Sequence, residues 1–305
     1  MKRFLCFLIA ALACGPALAQ HRVLTVGNNK LMLFERDGTV SWEMPWPGGT
    51  HDLHVLPNGH YLAVRAGHEL AEIDPATKSV VWTYNSAENN GNHGRPVEVH
   101  ACQPLAGDTF MIAESGPARI IEIDRAGKLL KNVPLTVEHP QPHRDTRLAR
   151  KLENGNYLVA HEGDGVVREY DGTGKVVWDF PIPLFGKEPA GGHGPEAFGN
   201  QAFSVQRLKN GNTLIGTGNG HALLEVSPEK KIVWELHQKD LPGIVLAWVT
   251  TTAFLPNGNL VFGNCHAGPG QPQLIEIAPR GKEPVWTFEH FEIVGNDLTN
   301  SVILD

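Results

Sequence analysis

The stretch Leu152-Glu-Asn-Gly-Asn-Tyr-Leu-Val-Ala160 decides the fold, because it places a tight turn between two apolar runs. Asn-Gly in such a position is typical of a β-hairpin, since the turn requires a residue with positive φ. The pattern occurs at four other places along the chain, with its turn glycine at Gly59, Gly107, Gly211 and Gly258. Five copies of one hairpin indicate an all-β chain built from an internal repeat.

The repeat is long enough to contain four strands. Its turn glycines stand 48, 48, 56 and 47 residues apart. After each hairpin comes a third alternating strand, such as Val166–Tyr170, then a polar turn and a fourth strand. Several fourth strands contain a tryptophan that we expect to pack between neighbouring repeats: Trp82, Trp178, Trp234 and Trp286. Four strands in a unit of this length form one blade of a β-propeller.

A sixth blade is divided between the two ends of the chain. Residues 22–45 supply three strands without a first one, whereas residues 299–305 parallel the first strand at 251–257. Pairing these ends would close the ring and remove an exposed sheet edge. We therefore predict one domain, residues 20–305, folded as an all-β six-bladed β-propeller. Each blade has four antiparallel strands, and the C-terminal strand closes the first blade.

The N-terminal residues have the features of a secretory signal peptide. Lys2 and Arg3 precede an apolar run at 4–13, and Ala17-Leu-Ala19 forms a cleavage site. The run is shorter than the roughly 20 residues that a membrane span needs. We predict a signal peptide at 1–19, cleavage after Ala19, periplasmic or secreted localisation, and no membrane span. Lipoprotein anchoring at Cys14 is the less favoured alternative, because alanine replaces the usual leucine three positions earlier.

The charge balance restricts the possible binding partners. Without Lys2 and Arg3, 24 basic residues remain against 33 acidic ones, which argues against nucleic acid and anionic membranes as partners. We expect a monomer whose partner is a small molecule rather than a protein.

Cys102 and Cys265 fall three blades apart, too far for the roughly 7 Å between Cα atoms that a disulfide requires. Both thiols should be free.

Histidines are concentrated at one end of the predicted propeller. We call this end the top face; it carries the loops between second and third strands and the connections between blades. Long loops on a rigid scaffold commonly carry function. Twelve of the 15 histidines fall there: His51, His68, His93, His100, His139, His143, His161, His193, His221, His237, His266 and His290.

The top-face ends of the inner strands should bring several polar side chains together. Because the pKa of histidine lies near neutrality, His51, His100 and His161 are the catalytic candidates. Predicted ligand-binding residues include an arginine suited to an anionic group: Arg147, His266, Asn200, Asn264, Glu98 and His143. We predict a His-rich pocket for a polar or anionic small molecule, a sugar derivative or aryl ester, with histidine acid/base chemistry if the chain is an enzyme.

Two motifs resemble those of a known family. The runs His51-Asp-Leu-His-Val-Leu-Pro-Asn-Gly59 and Gly174-Lys-Val-Val-Trp-Asp-Phe180 are similar to arylsulfotransferase-like propellers and the wider PQQ-like repeat family. The resemblance covers essentially the whole mature chain and implies a propeller. However, the histidine that accepts the sulfuryl group in arylsulfotransferases is replaced here by the strand start Val249-Thr-Thr251. PQQ is not expected, because the quinoprotein dehydrogenases have eight blades.

Three other functions remain open. The resemblance implies sulfuryl transfer, and a non-catalytic protein-interaction scaffold is a second alternative. The third is a lactonase-like hydrolase with a divalent metal, for example calcium held by Glu98, Asn200 and Asn300. No H-E-x-x-H or C-x-x-C spacing occurs, so the sequence assigns no metal ligand, and no G-x-S-x-G elbow marks a serine hydrolase.

Overall fold

The computed structural model describes residues 21–304 and confirms the six-bladed β-propeller with four antiparallel strands in every blade. The predicted signal peptide lies outside the described residues. Helix within 21–304 is limited to a 3₁₀ turn at Gln238–Asp240 and α1 at Phe291–Val294, and neither is long enough to cross a membrane.

The strands form six sheets, in the order β24-β1-β2-β3, β4 to β7, β8 to β11, β12 to β15, β16 to β19 and β20 to β23. Their bounds in chain order are β1 Arg22–Gly27, β2 Lys30–Phe34, β3 Val40–Pro45, β4 Leu53–Val55, β5 Tyr61–Arg65, β6 Glu69–Asp74, β7 Ser79–Asn85, β8 Glu98–Leu105, β9 Thr109–Ser115, β10 Arg119–Asp124, β11 Leu129–Pro134, β12 Ala149–Lys151, β13 Tyr157–His161, β14 Val166–Tyr170, β15 Val176–Pro181, β16 Ser204–Arg207, β17 Thr213–Gly216, β18 Ala222–Val226, β19 Ile232–His237, β20 Trp248–Phe254, β21 Leu260–Cys265, β22 Leu274–Ile277, β23 Pro284–Phe288 and β24 Ser301–Leu304.

The ring closes through β24, as predicted. This strand pairs antiparallel with β1, and Val23 lies opposite Ile303. The strand begins two residues later than the sequence pattern indicated. Thr299 and Asn300 lie outside the strand pairing, and their side chains donate hydrogen bonds to the backbone oxygens of Thr50 and His51.

Neighbouring blades are joined by a repeated tryptophan contact. The indole Nε1 of Trp42 donates to Pro75 O over 2.8 Å, and Trp82 makes the equivalent bond to Arg125 O. Trp178 and Trp234 repeat it in later blades. The tryptophans therefore pack between blades as predicted, and each also places a polar atom against the next blade's outer turn.

The two cysteines of the described chain are free and buried. Cys102 lies in β8 of the third blade and Cys265 ends β21 of the sixth blade, so the prediction of two free thiols is confirmed.

Candidate functional site

A cavity of about 960 Å³ lies at the top face and is bounded by loops from around the ring. Its wall is formed by blade-to-blade connections and by residues at the ends of inner and second strands. Five of the nine site residues predicted from the sequence contribute to it: His51, His143, Arg147, Asn200 and His266. Side chains that are far apart in the chain therefore meet at one mouth.

The segment that carries His143 and Arg147 is held in place by a buried aspartate. The carboxylate of Asp145 accepts backbone hydrogen bonds from Gln141 N (2.6 Å) and Gly116 N (2.9 Å). Arg147 N also donates to Ala160 O over 2.8 Å, which ties the segment to the fourth blade. The connection between β11 and β12 is thus fixed relative to two blades, and its side chains have defined positions.

Arg147 is buried at the cavity wall and already has two polar partners. Its Nε donates to the Glu162 carboxylate, and its Nη2 lies 3.1 Å from His143 Nε2. The guanidinium stands over the ring of Phe203, with 5.6 Å between its central carbon and the ring centroid. Glu162 also accepts a hydrogen bond from Arg144. One carboxylate therefore serves two guanidinium groups, and the wall keeps an excess of positive charge at Arg144 and Arg147.

Glu98 and His100 lie directly behind the wall. The His100 ring packs edge-on against His51, with 4.6 Å between centroids, and against His143 at 5.4 Å. Its Nδ1 is 2.8 Å from Thr146 O and its Nε2 is 3.0 Å from Glu98 Oε2. His143 Nδ1 approaches the same carboxylate oxygen to 2.7 Å. Three histidines and one glutamate consequently form a continuous group.

Two predicted site residues lie away from the cavity wall. His161 is fully buried, with Nδ1 2.7 Å from Asp145 O and Nε2 2.8 Å from the Tyr170 hydroxyl. The Asn264 amide donates to Val245 O and accepts from Ala247 N. These side chains hold loops in place and do not line the cavity.

Both asparagines of the predicted oxygen-rich calcium group already contact other groups. Asn300 Nδ2 donates to His51 O over 2.9 Å and lies 3.4 Å from Asp52 Oδ1. Asn200 lines the cavity, and its amide packs against Gly165, where an added Cβ would lie 2.1 Å from Nδ2. Within residues 21–304, no contact joins these amides to Glu98.

Burial sets the protonation states of the histidine group. Desolvation lowers the pKa of His51 well below its usual value, and the neighbouring His100 and Arg147 lower it further. Desolvation followed by Arg147 also lowers the pKa of His100. The neighbouring His100 and His143 outweigh partial burial and lower the pKa of Glu98 to about 2. At neutral pH, His51 is therefore neutral, and the Glu98 carboxylate beside His100 is ionised.

Several buried polar atoms of the cavity wall have no hydrogen-bond partner. Within the described residues they include His51 Nδ1, Arg147 Nη1, Trp248 Nε1 and Thr250 Oγ1. An unpaired buried donor costs about 1–3 kcal/mol. Guanidinium and indole nitrogens can only donate. The cavity wall therefore contains buried hydrogen-bond donors that have no acceptor.

The opposite wall carries a cysteine beside a histidine. Cys265 Sγ lies 2.7 Å from His266 Nδ1, and His266 Nε2 lies 3.3 Å from Asp297 Oδ1. His266 has a positive φ of 64°, which is uncommon for a residue other than glycine. Because desolvation raises the pKa of Cys265 well above its usual value, this side chain is a neutral thiol.

The predicted set of site residues omits several residues of the wall, although His193 had already been placed on the top face. These are Glu162, His193, Phe203, Trp248 and Thr250. Glu162 immediately follows His161, and successive side chains of an extended chain point to opposite sides. The alternation within the fourth blade was therefore a usable signal for choosing Glu162 over His161. Trp248 differs from the repeated tryptophans in lying at the start of an inner strand.

Comparisons with known proteins agree with the architecture. Residues 27–288 match the PQQ-like family described as "Outer membrane protein assembly factor BamB". A protein of unknown function from Bacteroides caccae is 22% identical, with a TM-score of 0.75 over 93% of this chain and 98% of that chain. Among curated protein sequences, none matches significantly.

Two lyase structures share the fold at lower similarity. A streptogramin B lyase is 11% identical, with a TM-score of 0.56 over 86% of this chain and 80% of that chain. Virginiamycin B lyase from Staphylococcus aureus is 12% identical, with a TM-score of 0.55 over 87% and 84%. At these identities the likeness concerns the fold alone. The family match over residues 27–288 shows more: this chain belongs to the PQQ-like β-propeller family described as outer membrane protein assembly factor BamB.

Proposed function

We propose that this chain is an exported protein that binds a small polar or anionic molecule in its top-face cavity. The observation that carries the proposal is the set of unpaired buried polar atoms of the wall, among them Arg147 Nη1 and Trp248 Nε1. Because both atoms are obligate donors, a ligand rich in acceptor oxygens satisfies them. A carboxylate or a sugar hydroxyl group has this character.

The wall also favours a flat ring on the ligand. Phe203 and Trp248 both line the cavity, and the His193 ring stacks on Trp248 with 6.1 Å between centroids. Aromatic faces pack well against aryl rings and against the apolar faces of sugars. Asn200 and Asn219 add amide groups to the same wall. A sugar derivative or aryl ester with an anionic group fits this combination.

If the cavity catalyses a reaction, His51 is the residue suited to accept a proton. It lines the cavity and its Nδ1 has no partner, and burial keeps it unprotonated at neutral pH while making it a weaker base than a solvated imidazole. His100 packs behind it and restricts its ring orientation. His100 therefore acts as a positioning residue in this proposal.

Two alternatives have less support. Exposed apolar residues, which a protein-interaction scaffold would use, are distributed along the described chain and include Val81, Val177, Val233 and Val285. Each lies on the outermost strand of a different blade, so these residues do not form one patch. Sulfuryl transfer has less support because Thr250, near the start of β20, lines the cavity where arylsulfotransferases use a histidine.

The proposal is tested with a panel of sugar acids and aryl esters, screened by thermal shift and then measured by calorimetry. Arg147→Lys keeps a cation beside Glu162 but removes the planar guanidinium that also reaches His143. The matched control is Arg22→Lys, because Arg22 pairs with Glu35 outside the cavity. We expect a ligand whose affinity falls in Arg147→Lys alone; equal affinities in both variants would refute the site.

A further inference from the structure

We propose that Glu98, His100 and His143 form a binding site for one divalent transition-metal ion beside the top-face cavity. A ligand atom from each of the three side chains lies within 4.8 Å of the others. Glu98 and His100 are two residues apart on β8, and His143 comes from the connection between β11 and β12. Two imidazole nitrogens and one carboxylate oxygen therefore converge from separate elements.

The orientation of His100 suits a metal ligand. Its Nδ1 lies 2.8 Å from Thr146 O, and this carbonyl can only accept, so Nδ1 carries the proton. The lone pair of the neutral ring is then on Nε2, which faces Glu98 Oε2 at 3.0 Å. Proteins commonly fix a metal-binding histidine in this way, with the second ring nitrogen donating to a backbone carbonyl.

The Glu98 carboxylate has no cationic partner of its own. Within the described chain, His143 Nδ1 donates to this carboxylate, the lone pair of His100 Nε2 faces it at 3.0 Å, and no arginine or lysine pairs with it. A cation placed between one carboxylate oxygen and two imidazoles would balance this charge. The negative charge at the junction of the three side chains is thus an independent reason for the site.

A second cluster, Asp52, His54 and Cys102, lacks this property. Both oxygens of Asp52 are bound by the guanidinium of Arg150, at 2.6 and 2.9 Å. Its carboxylate also accepts a hydrogen bond from the backbone nitrogen of Cys102. The charge and the lone pairs of Asp52 are already used, so this cluster is the poorer candidate.

The ligand set indicates the class of ion and leaves room for another ligand. Nitrogen and oxygen donors without a thiolate suit Zn²⁺, Mn²⁺, Fe²⁺ or Co²⁺, whereas Ca²⁺ and Mg²⁺ prefer oxygen ligands throughout. His100 is buried, but the side chains of Glu98 and His143 are 36% and 52% exposed. Three protein ligands with access from solvent are typical of metal sites that keep an open position.

Metal binding would change the partner of Arg147. His143 Nε2 now accepts from Arg147 Nη2, so its proton is on Nδ1. Coordination through Nδ1 moves that proton to Nε2, which can then no longer accept. Arg147 Nη2 becomes available to an anion on the ligand. This consequence rests on the proposed function, whereas the metal site itself does not.

The experiment is a calorimetric titration of tag-free protein, dialysed against a chelator, with Zn²⁺, Mn²⁺ and Co²⁺. Wild type should bind one ion per chain, and Glu98→Gln and His143→Ala should weaken binding by about 10- to 100-fold or more. His93→Ala is the matched control, because His93 Nδ1 lies 2.7 Å from Glu88 Oε2 in an exposed pair without a third ligand. Thermal melting establishes that each variant is folded.

The visible spectrum of the Co²⁺ form identifies the donors in the wild-type protein alone. We expect d–d bands without a thiolate charge-transfer band. Absence of saturable binding by wild type, unchanged affinity in folded His143→Ala, or a thiolate band would each overturn the site. A thiolate band would instead identify Cys102 or Cys265 as the ligand. Ligand binding that still depends on Arg147 would leave the proposed function intact.

Discussion

Arg147 Nη2 lies 3.1 Å from His143 Nε2, and this contact joins the buried cation of the cavity wall to the histidine and glutamate group behind it. Since a guanidinium only donates, His143 must accept at this atom. Arg147 is at the same time bound to Glu162. A change at either residue therefore alters both the electrostatics of the wall and the position of the imidazole.

For ligand binding, Arg147→Lys should cost about 1.5–3 kcal/mol, the usual worth of a hydrogen bond to a charged group. This corresponds to about 10- to 100-fold weaker affinity. Lysine retains the charge beside buried Glu162, so the melting temperature should change little. Calorimetry with the ligand identified in the screen measures the effect. A variant that binds as tightly as wild type would show that Arg147 does not contact the ligand.

Ring closure should control stability. Deletion of residues 297–305 removes β24 and leaves the hydrogen-bonding edge of β1 without its partner. It also removes the side chain of Leu298, which is buried in the apolar cluster between the sixth and first blades. We expect the truncated chain to be largely unfolded or aggregated in circular dichroism and gel filtration. A melting temperature within a few degrees of the full chain would contradict the split blade.

The ion pair between Asp52 and Arg150 should make stability depend on acid pH. Burial opposes ionisation of Asp52, but Arg150 and His54 outweigh it and hold its pKa at about 2. The unfolded chain takes up this proton near pH 3.9. The contribution of Asp52 to the free energy of unfolding is therefore fully present above about pH 4 and declines as the pH falls toward 2.

Removal of the cation is a direct check of that pair. Arg150→Ala leaves a fully buried carboxylate without its main partner, and breaking such pairs costs about 3–5 kcal/mol. The control Arg22→Ala breaks a half-exposed pair with Glu35, which should cost at most about 1 kcal/mol. Urea denaturation at neutral pH gives both values. Similar losses in the two variants would mean that Asp52 is not dependent on Arg150.

His161 should titrate well below an ordinary histidine. Burial lowers its pKa to about 4 although Asp145 O accepts its proton. An unfolded histidine is protonated near pH 6.5, so its contribution to the free energy of unfolding is lost as the pH falls from about 6.5 to 4. Histidine NMR signals followed against pH, with His161→Gln for assignment, measure this. A midpoint near 6.5 would place the ring in a solvated site.

The two thiols should be free but slow to react. Burial raises the pKa of Cys102 and of Cys265, so little thiolate is present at neutral pH. In protein that lacks residues 1–19, and with them Cys6 and Cys14, thiol titration should find two reactive groups in denaturant and slow modification of the native protein. Cys265 lines the cavity, so a bound ligand should slow its modification further and leave Cys102 unchanged. Modification of Cys265 at the same rate with saturating ligand would place the ligand elsewhere.

The fold was predictable because its signals are local. A turn such as that at Gly155 indicates a hairpin from a few adjacent residues. Counting the repeat units then shows that the N-terminal unit lacks its first strand and that the C-terminus supplies this strand. The side-chain alternation that determines which residues face the cavity is harder to recognise in the sequence. His161 and Glu162 are neighbours in sequence, but only Glu162 reaches the cavity wall. Asn264 was placed at the correct strand end, yet its amide is used by loop backbone.

The ion pairs of the cavity wall could not be predicted from the sequence, for a different reason. Arg147 and Glu162 belong to separate connections whose paths depend on bonds such as those from the Asp145 carboxylate to Gln141 and Gly116. No sequence period relates these residues. The positions of the strand ends were enough to predict that five residues meet at one cavity. Their hydrogen-bond partners could not be predicted, because these depend on the loop conformations.

A crystal structure of the protein with the ligand selected by the screen tests the central claim most directly. We predict that the ligand occupies the top-face cavity, with an acceptor atom within hydrogen-bond distance of Arg147 and a second polar group beside His51. Its ring should pack against Phe203 or Trp248. A ligand bound at the opposite face, or at the outer strands with the cavity wall unchanged, would contradict the account.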